Sequence, residues 1–255
     1  MAKRTSHPAG TPSWLDIGSP DIDGTFAFYG PLFGWERVDL GPDAGGYGMA
    51  AIEGDTVAGV GPAQQPGPPF WTTYIATDDV QATTKKVEAA GGAVIVGPTD
   101  VFDQGKFAVY ADPNGAVFSV WESGDNIGAY RVNENGTLCW NELNTWNLDA
   151  AKPFYAEVFG WDISDNPEYG EFSVGGRVVG GMMPLSTERV PQETPEHWLV
   201  YFAVDDINAA VAKINELGGT VMMEPFEAGG VGLMTVNKDP QGAVFATIQM
   251  NEPGD

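Results

Sequence analysis

Cysteine occurs once in this sequence, at position 139, and histidine only at 7 and 197. A single thiol closes no intrachain disulfide and leaves thiolate-built zinc sites without ligands. Two imidazoles, one of them in a polar N-terminal stretch, leave no multi-histidine centre beyond that pair. Cations are scarce as well. Twelve Lys and Arg face 35 Asp and Glu, giving a formal charge of −23. Such a surface repels phosphate backbones and anionic lipid, which argues against nucleic-acid and membrane partners. No run approaches the roughly 18 apolar residues of a membrane span. The opening MAKRTSHPAGTPSW lacks the apolar stretch of a secretory leader, so a cytoplasmic location is expected. There is no GxSxG, and no glycine pair lies in a strand–GxGxxG–helix context, which removes two common catalytic and nucleotide-binding motifs. The acidity names no ligand, because a solvated, solubilising surface explains it.

What is present is a repetition. DPNGAVF at 112–118 returns as DPQGAVF at 239–245. Phe28-Tyr29 and Phe33-Gly34-Trp35 return as Phe154-Tyr155 and Phe159-Gly160-Trp161. Trp14 returns as Trp140, Asp78-Asp79-Val80 as Asp205-Asp206-Ile207, and Gly91-Gly92 as Gly218-Gly219. Matches in this order over this length indicate a duplicated domain. The halves span 11–122 and 137–250, joined by a polar, Gly-rich linker at 123–136.

Within each half a shorter pattern runs twice: strand, helix, three strands. WLDIG, CWNELN, WTTYIAT and WLVYFAV read as strands. Helices are predicted at 23–33, 79–90, 149–159 and 206–217; Asp78 or Asp79 and Asp205 or Asp206 are the candidate N-caps of the second and fourth, and Gly34, Gly91-Gly92, Gly160 and Gly218-Gly219 the stops. Pro31 is expected to shorten the first helix, and Pro153 to lie in the opening turn of the third. Glu53-Gly54 and Gly175-Gly176 suit hairpin turns. Each βαβββ unit covers one sheet face with its helix. Two units side by side would make a cup whose concave face could hold a ligand.

These residues together resemble the vicinal oxygen chelate superfamily: glyoxalase I, bleomycin resistance proteins and extradiol dioxygenases. The carriers are FY…LFGW at 28–35, FY…VFGW at 154–161, the DDV and DDI triplets, and the two DPxGAVF turns. The likeness covers about 11–250 and is nearest to a two-domain, acidic actinobacterial branch described as glyoxalase-like or hydroxylase. It implies an α+β fold of tandem glyoxalase-like domains, each two βαβββ units forming a curved-sheet cup, paired within the chain as a pseudo-dimer. The chain itself would be a monomer or a homodimer.

Metal-binding members of that superfamily place ligands at three stations. Counted from the motifs, these fall on Trp14, Thr72 and Ser119 in the first half, and on Trp140, Leu199 and Ala246 in the second. Indole and aliphatic groups do not coordinate a divalent ion, and a lone hydroxyl is a weak ligand. No metal and no cofactor is expected.

Alternation puts Asp16 on the face of Trp14, and Glu142 on that of Trp140. Desolvation would raise either carboxyl and suit it to proton transfer, making Glu142 and Asp16 the candidate acid–base groups. A carboxylate bonded to a loop or placed at the domain interface is the competing explanation. Tyr74, Tyr201, Trp121 and His197 share the inward face with these stations, so the candidate ligand-binding set is Trp14, Thr72, Tyr74, Ser119, Trp121, Trp140, His197 and Tyr201. Core packing competes for the aromatics. Cys139 is expected to point away from the cup as an inert thiol, and Met182, Met183, Met222, Met223 and Met234 to fill a core. Loop 64–69 and its longer counterpart 186–196 differ enough that the two cups need not bind alike.

Two functions remain open. One is metal-independent binding of a small, partly apolar or aromatic molecule in a cup, in a resistance or accessory role. The other is a metal-free lyase, isomerase or hydroxylase-like enzyme using Glu142 or Asp16. A lactoylglutathione-lyase-type metalloenzyme with displaced ligands is the remaining alternative.

Overall fold

The structure is a computed structural model that describes residues 3–64, 66–164 and 166–251. Met1, Ala2 and Gln65, part of two stretches read above, lie outside the described residues. The pattern of strand, helix and three strands occurs four times. The first half runs β1 (Pro12–Ser19), α1 (Ile22–Phe33), β2 (Glu36–Asp39), β3 (Gly48–Ile52), β4 (Asp55–Pro62), then β5 (Trp71–Ala76), α2 (Val80–Ala89), β6 (Ala93–Val101), β7 (Gly105–Ala111), β8 (Val117–Ser123). The second half runs β9 (Leu138–Thr145), α3 (Leu148–Phe159), β10 (Asp162–Ile163), β11 (Gly170–Val174), β12 (Arg177–Pro184), then β13 (His197–Ala203), α4 (Ile207–Glu216), β14 (Thr220–Ala228), β15 (Gly232–Lys238), β16 (Val244–Met250).

Local chemistry sets the helix ends. Side chains of Asp21, Asp79, Asn147 and Asp206 accept backbone N–H groups of the first turns. Gly34 and Gly160 close α1 and α3 in the left-handed region, at φ 74° and 68°. Pro31 does not shorten α1, which continues through Phe33. Its ring is exposed, so only one helical bond is forfeited. Pro153 lies deeper in α3 than the opening turn, and it too faces solvent.

Each half forms one curved eight-stranded sheet, ordered β2-β3-β4-β1-β5-β8-β7-β6 and β10-β11-β12-β9-β13-β16-β15-β14. Two units meet through antiparallel first strands, β1 on β5 and β9 on β13. The sheets then stand back to back. Thr73 donates to Asn141 Oδ1 at 2.7 Å where they touch, and the helices fill the space on either side. One core holds α1 and α4 together with Ile17, Trp71, Val200 and Phe245. The other holds α2 and α3 with Val120, Leu143, Phe172 and Trp198. Both cores draw residues from both halves.

The repeated motifs lock across that interface. In the turn after β7, Asp112 Oδ1 accepts the N–H groups of Asn114, Gly115 and Ala116 at 2.9 Å. Its Oδ2 accepts the hydroxyl of Tyr155 in α3, which itself accepts the indole N–H of Trp198. Asp239, Tyr29 and Trp71 repeat the arrangement with the halves exchanged.

Segment 123–136 is tied down along its length. Ala129 donates to Ser13 O, Tyr130 to Thr56 O and Gly136 to Ala203 O. Arg131 pairs with Glu53, Asp55 and Glu134. The N-terminal residues lie over it: Arg4 N donates to Tyr130 O, and a His7 ring nitrogen sits 2.8 Å from Ala129 O.

Candidate functional site

A bulge near the start of each half's first strand sets the concave face. Pro12 pairs with Ile75 and Trp14 with Tyr74, leaving Ser13 as the extra residue. Leu138 pairs with Phe202 and Trp140 with Tyr201, leaving Cys139. After the bulge, alternation carries Trp14 and Asp16, and Trp140 and Glu142, onto the concave side. The bulge also corrects the expectation for Cys139, which turns toward the concave cluster of Leu199, Tyr201 and Trp140 instead of the helices. Its Sγ lies 3.4 Å from Tyr201 O, as Ser13 Oγ lies 3.4 Å from Tyr74 O.

Two rows, each crossing three strands, run over the four central strands of each sheet. In the first half they read Trp14–Tyr74–Ser119 and Gly59–Asp16–Thr72. In the second they read Trp140–Tyr201–Ala246 and Gly181–Glu142–Leu199. Trp121 joins Trp14 and Tyr74 in one cluster; its second-half counterpart is Ile248. His197 begins β13 on the same side as Leu199, beside Asn144 at the rim. Its Nδ1 is 2.8 Å from Pro195 O, which only accepts, so that nitrogen carries the hydrogen.

Each carboxylate anchors a hydroxyl network. Asp16 Oδ2 accepts Tyr74 at 2.8 Å and Tyr47 at 3.3 Å, and Tyr47 accepts the indole N–H of Trp14. Burial pushes the Asp16 carboxyl up to about 6, against the hydroxyl bonds that favour its anion. Glu142 Oε1 accepts Tyr201 at 3.0 Å and Asn144 at 3.2 Å; Tyr169, whose hydroxyl accepts the indole N–H of Trp140 at 2.8 Å, lies near Glu142 without a hydrogen bond of normal geometry. Burial raises this carboxyl too, opposed by those bonds and by the charge of Arg189.

Tyr47 and Tyr169 are absent from the sequence-derived set. A signal was available: each precedes a glycine and stands in the same place in its half, in GYGMA and EYGEF. Their rings rest where glycine removes a side chain. A Cβ on Gly59 would come within 1.8 Å of the Tyr47 hydroxyl, and one on Gly181 within 2.1 Å of that of Tyr169.

The two concave faces differ in closure. Over the first, Ala129 and Val132 of the connecting segment pack on Trp14, Tyr74 and Trp121, and Trp14 is only 5% exposed. Ser119 beneath them is fully buried; its Oγ lies near the Tyr74 hydroxyl without a hydrogen bond of normal geometry. Over the second, Trp140, Cys139 and Met234 are half-buried. The strap 185–196 borders this opening. Of the methionines expected in a core, Met182 is buried, whereas Met222 and Met223 are exposed on the edge strand β14, where no further strand packs. Two open depressions, of about 390 and 220 Å³, lie away from both carboxylates, along α3 and between α2 and α3.

Neither concave face fits a divalent ion. The central rows offer indoles, phenols, hydroxyls and aliphatic groups around one carboxylate, one oxygen of which already accepts hydroxyl or amide donors. Among the described residues no three His, Cys, Asp or Glu side chains group closely enough to hold a metal ion.

Comparison with known proteins agrees with the architecture. The family model for the Glyoxalase/Bleomycin resistance protein/Dioxygenase superfamily matches residues 11–120 and again 138–247. The chain is 40% identical over 260 residues to "Putative glyoxylase CFP32" of Mycobacterium bovis, covering 98% of each. It is 37% identical to "Anthracycline biosynthesis protein DnrV" of Streptomyces peucetius, covering 97% of this chain and 96% of the other. Among solved structures, the Mn(II)-bound glyoxalase from Novosphingobium aromaticivorans superposes with a TM-score of 0.69 at 20% identity, covering 97% and 84% of the two chains. The 2,3-dioxygenase LapB from Pseudomonas sp. KL28 gives 0.67 at 13%, covering 97% and 95%.

Proposed function

The chain belongs to the Glyoxalase/Bleomycin resistance protein/Dioxygenase superfamily, and from that premise we propose that it binds a small, partly aromatic molecule on the concave face of its second half, without a metal ion. The role would be protective or accessory. One observation carries the reading: a buried carboxyl, Glu142, sits under a half-exposed indole, Trp140, with Tyr169 bonded to the indole and close to the carboxyl. The indole offers a flat apolar contact, and the carboxyl and phenols offer polar tips, the mixture that orients small ligands. The sealed first face, with Asp16 in the same arrangement, serves the fold in this reading.

A second reading keeps the site and adds proton transfer. Burial keeps more of the Glu142 carboxyl protonated at a given pH, and Tyr201 is hydrogen-bonded to it with Tyr169 close by. Such a group can give a proton to a ligand carbonyl or take one beside it. The relative named as a glyoxylase favours this reading.

Calorimetric titration of planar aromatic ligands separates the two. Trp140→Ala should weaken binding by about tenfold or more, as loss of one aromatic stacking partner does. Glu142→Gln should leave affinity within a few-fold; if turnover exists, it should be lost while affinity is kept. Binding unaffected by Trp140→Ala, or abolished only by Asp16→Asn, would remove the second face as the site. Stoichiometric metal retained through gel filtration and required for binding would remove the metal-free reading.

A further inference from the structure

Arg189 lies at the rim of the Glu142 site, and among the described residues it has no carboxylate partner. It lies on the strap 185–196, which is fastened at both ends. Leu185 donates to Thr145 O, Trp146 N donates to both carboxylate oxygens of Glu196, and the Trp146 indole donates to Thr194 O. The strap carries Glu188, Glu193 and Glu196 in a chain with almost three acids per base. Yet among the described residues no carboxylate lies within salt-bridge distance of Arg189. Its guanidinium instead folds onto Met183 Sδ at 2.6 Å and Pro184 O at 2.5 Å, with Nε 3.4 Å from Ser186 Oγ.

These contacts are poor compensation for a fork of five N–H donors. One acceptor is a thioether, another is at the limit of hydrogen-bond distance, only the Pro184 carbonyl is a strong one, and two donors are unspent. Met183 pairs with Asn144, the residue whose amide holds Glu142. The guanidinium is therefore held over the rim of the concave face, and its charge is felt by Glu142. His197 faces the same edge, with Nε2 as its free ring nitrogen. The first half has no equivalent. Its loop, 63–70, reads AQQPGPPF and contains no cation, and hydroxyl donors alone oppose the desolvation of Asp16.

We propose that Arg189 is a specificity-determining residue, and that the second concave face selects molecules carrying a carboxylate or similar oxyanion beside their aromatic or apolar body. This rests on the reading of the second face as the binding site. A planar, two-oxygen anion matches the fork of a guanidinium, and its approach gives the thioether-bound and unspent donors a fully charged partner. Selectivity would also come from exclusion. The buried Glu142 carboxyl below rejects a second anionic group on the same ligand, so monoanions are preferred over dianions.

The test uses the full chain with naphthoate and its neutral amide, naphthamide, titrated by calorimetry. Wild type should prefer naphthoate by about tenfold or more, the range for a hydrogen bond to a charged partner. The preference should shrink with added salt. Arg189→Gln should bring the two ligands to near-equal affinity by weakening naphthoate far more than naphthamide. Arg189→Lys should retain part of the preference. Arg189 is exposed, so an unchanged circular dichroism melt certifies the fold of each variant. If naphthoate and naphthamide bind wild type alike, or the preference survives in Arg189→Gln, the inference is wrong while the binding site stands. If neither ligand binds, the reading of the second face fails and the inference falls with it.

Discussion

The hydroxyl of Tyr29 lies 3.1 Å from Asp239 Oδ2, across 210 residues of chain, and the hydroxyl of Tyr155 stands at the same distance from Asp112 Oδ2. Each aspartate uses one oxygen to hold its own turn and the other to hold the opposite half. This is why the chain carries two FY…FGW stretches and two DPxGAVF stretches: each copy of one is completed by the distant copy of the other.

Tyr29→Phe removes a hydroxyl that serves Asp239 and the Trp71 indole together, leaving a buried donor and acceptor unmatched. The expected loss is about 2–3 kcal/mol, seen as a melting temperature lower by several degrees. Tyr155→Phe should match it. A double-mutant cycle of Tyr29→Phe with Asp239→Asn should show coupling; additive effects would mean that the bond contributes nothing.

A fragment ending near residue 128 loses the partners of Phe28, Tyr29, Phe33 and Trp35 in the second half. It should not melt cooperatively as a monomer. Sedimentation combined with calorimetry checks this, and a folded monomeric half would contradict the shared cores.

Asp16 gives stability a pH dependence whose sign follows from burial. A carboxyl raised from 3.8 to about 6 in the folded state is favoured protonated, so its contribution is fullest below pH 4 and is lost as pH rises toward 6. The loss approaches about 3 kcal/mol. Glu142 and Asp112 act in the same direction, so the readout is a difference: urea melts of wild type and Asp16→Asn should diverge between pH 4 and 6. Parallel curves would show that Asp16 is solvated.

Gly181→Ala places a methyl group where the Tyr169 hydroxyl lies. The ring must leave, breaking its bond to Trp140 and its approach to Glu142 while both remain in place. Trp140 fluorescence should shift and ligand affinity should fall by about tenfold, with no change at the first face. Unaltered fluorescence would mean that the ring has another way to fit.

Burial pushes the Cys139 thiol up, so it should react with a disulfide reagent only after unfolding. Cys139→Ser should cost less than about 1 kcal/mol, because Ser13 already occupies the same bulge with the same carbonyl partner. Rapid labelling of the native protein would show that the bulge opens.

Much of this was legible in residue order. The duplication, the four units, the Asp79 and Asp206 N-caps and the inward pairing of Trp14 with Asp16 and of Trp140 with Glu142 follow from repetition and period, whereas the N-caps Asp21 and Asn147 lie ahead of the helix starts read at 23 and 149. Cys139 was misplaced because a bulge reverses parity without a mark in composition. Tyr47 and Tyr169 were overlooked because their role depends on glycines in the neighbouring strand, Gly59 and Gly181, which register alone brings beneath them. The bonds of Tyr29 to Asp239 and of Ala129 to Ser13 lie beyond local pattern, since they arise only when the sheets stack and the connecting segment crosses the first face. The position of Arg189 is set by the strap's two fastenings, which no periodicity reveals.

The reciprocal aspartate–tyrosine bonds also explain where the halves have drifted apart. The turn, the helix dyad and the FGW corner remain alike because an altered copy would weaken its opposite number. Immediately after each turn, Ser119 faces Ala246 in the comparison, and Trp121 faces Ile248. Divergence is free at those positions because they answer only to their own bowl. A duplicated ancestor built this way could give its two interiors separate careers while its frame stayed hostage to itself.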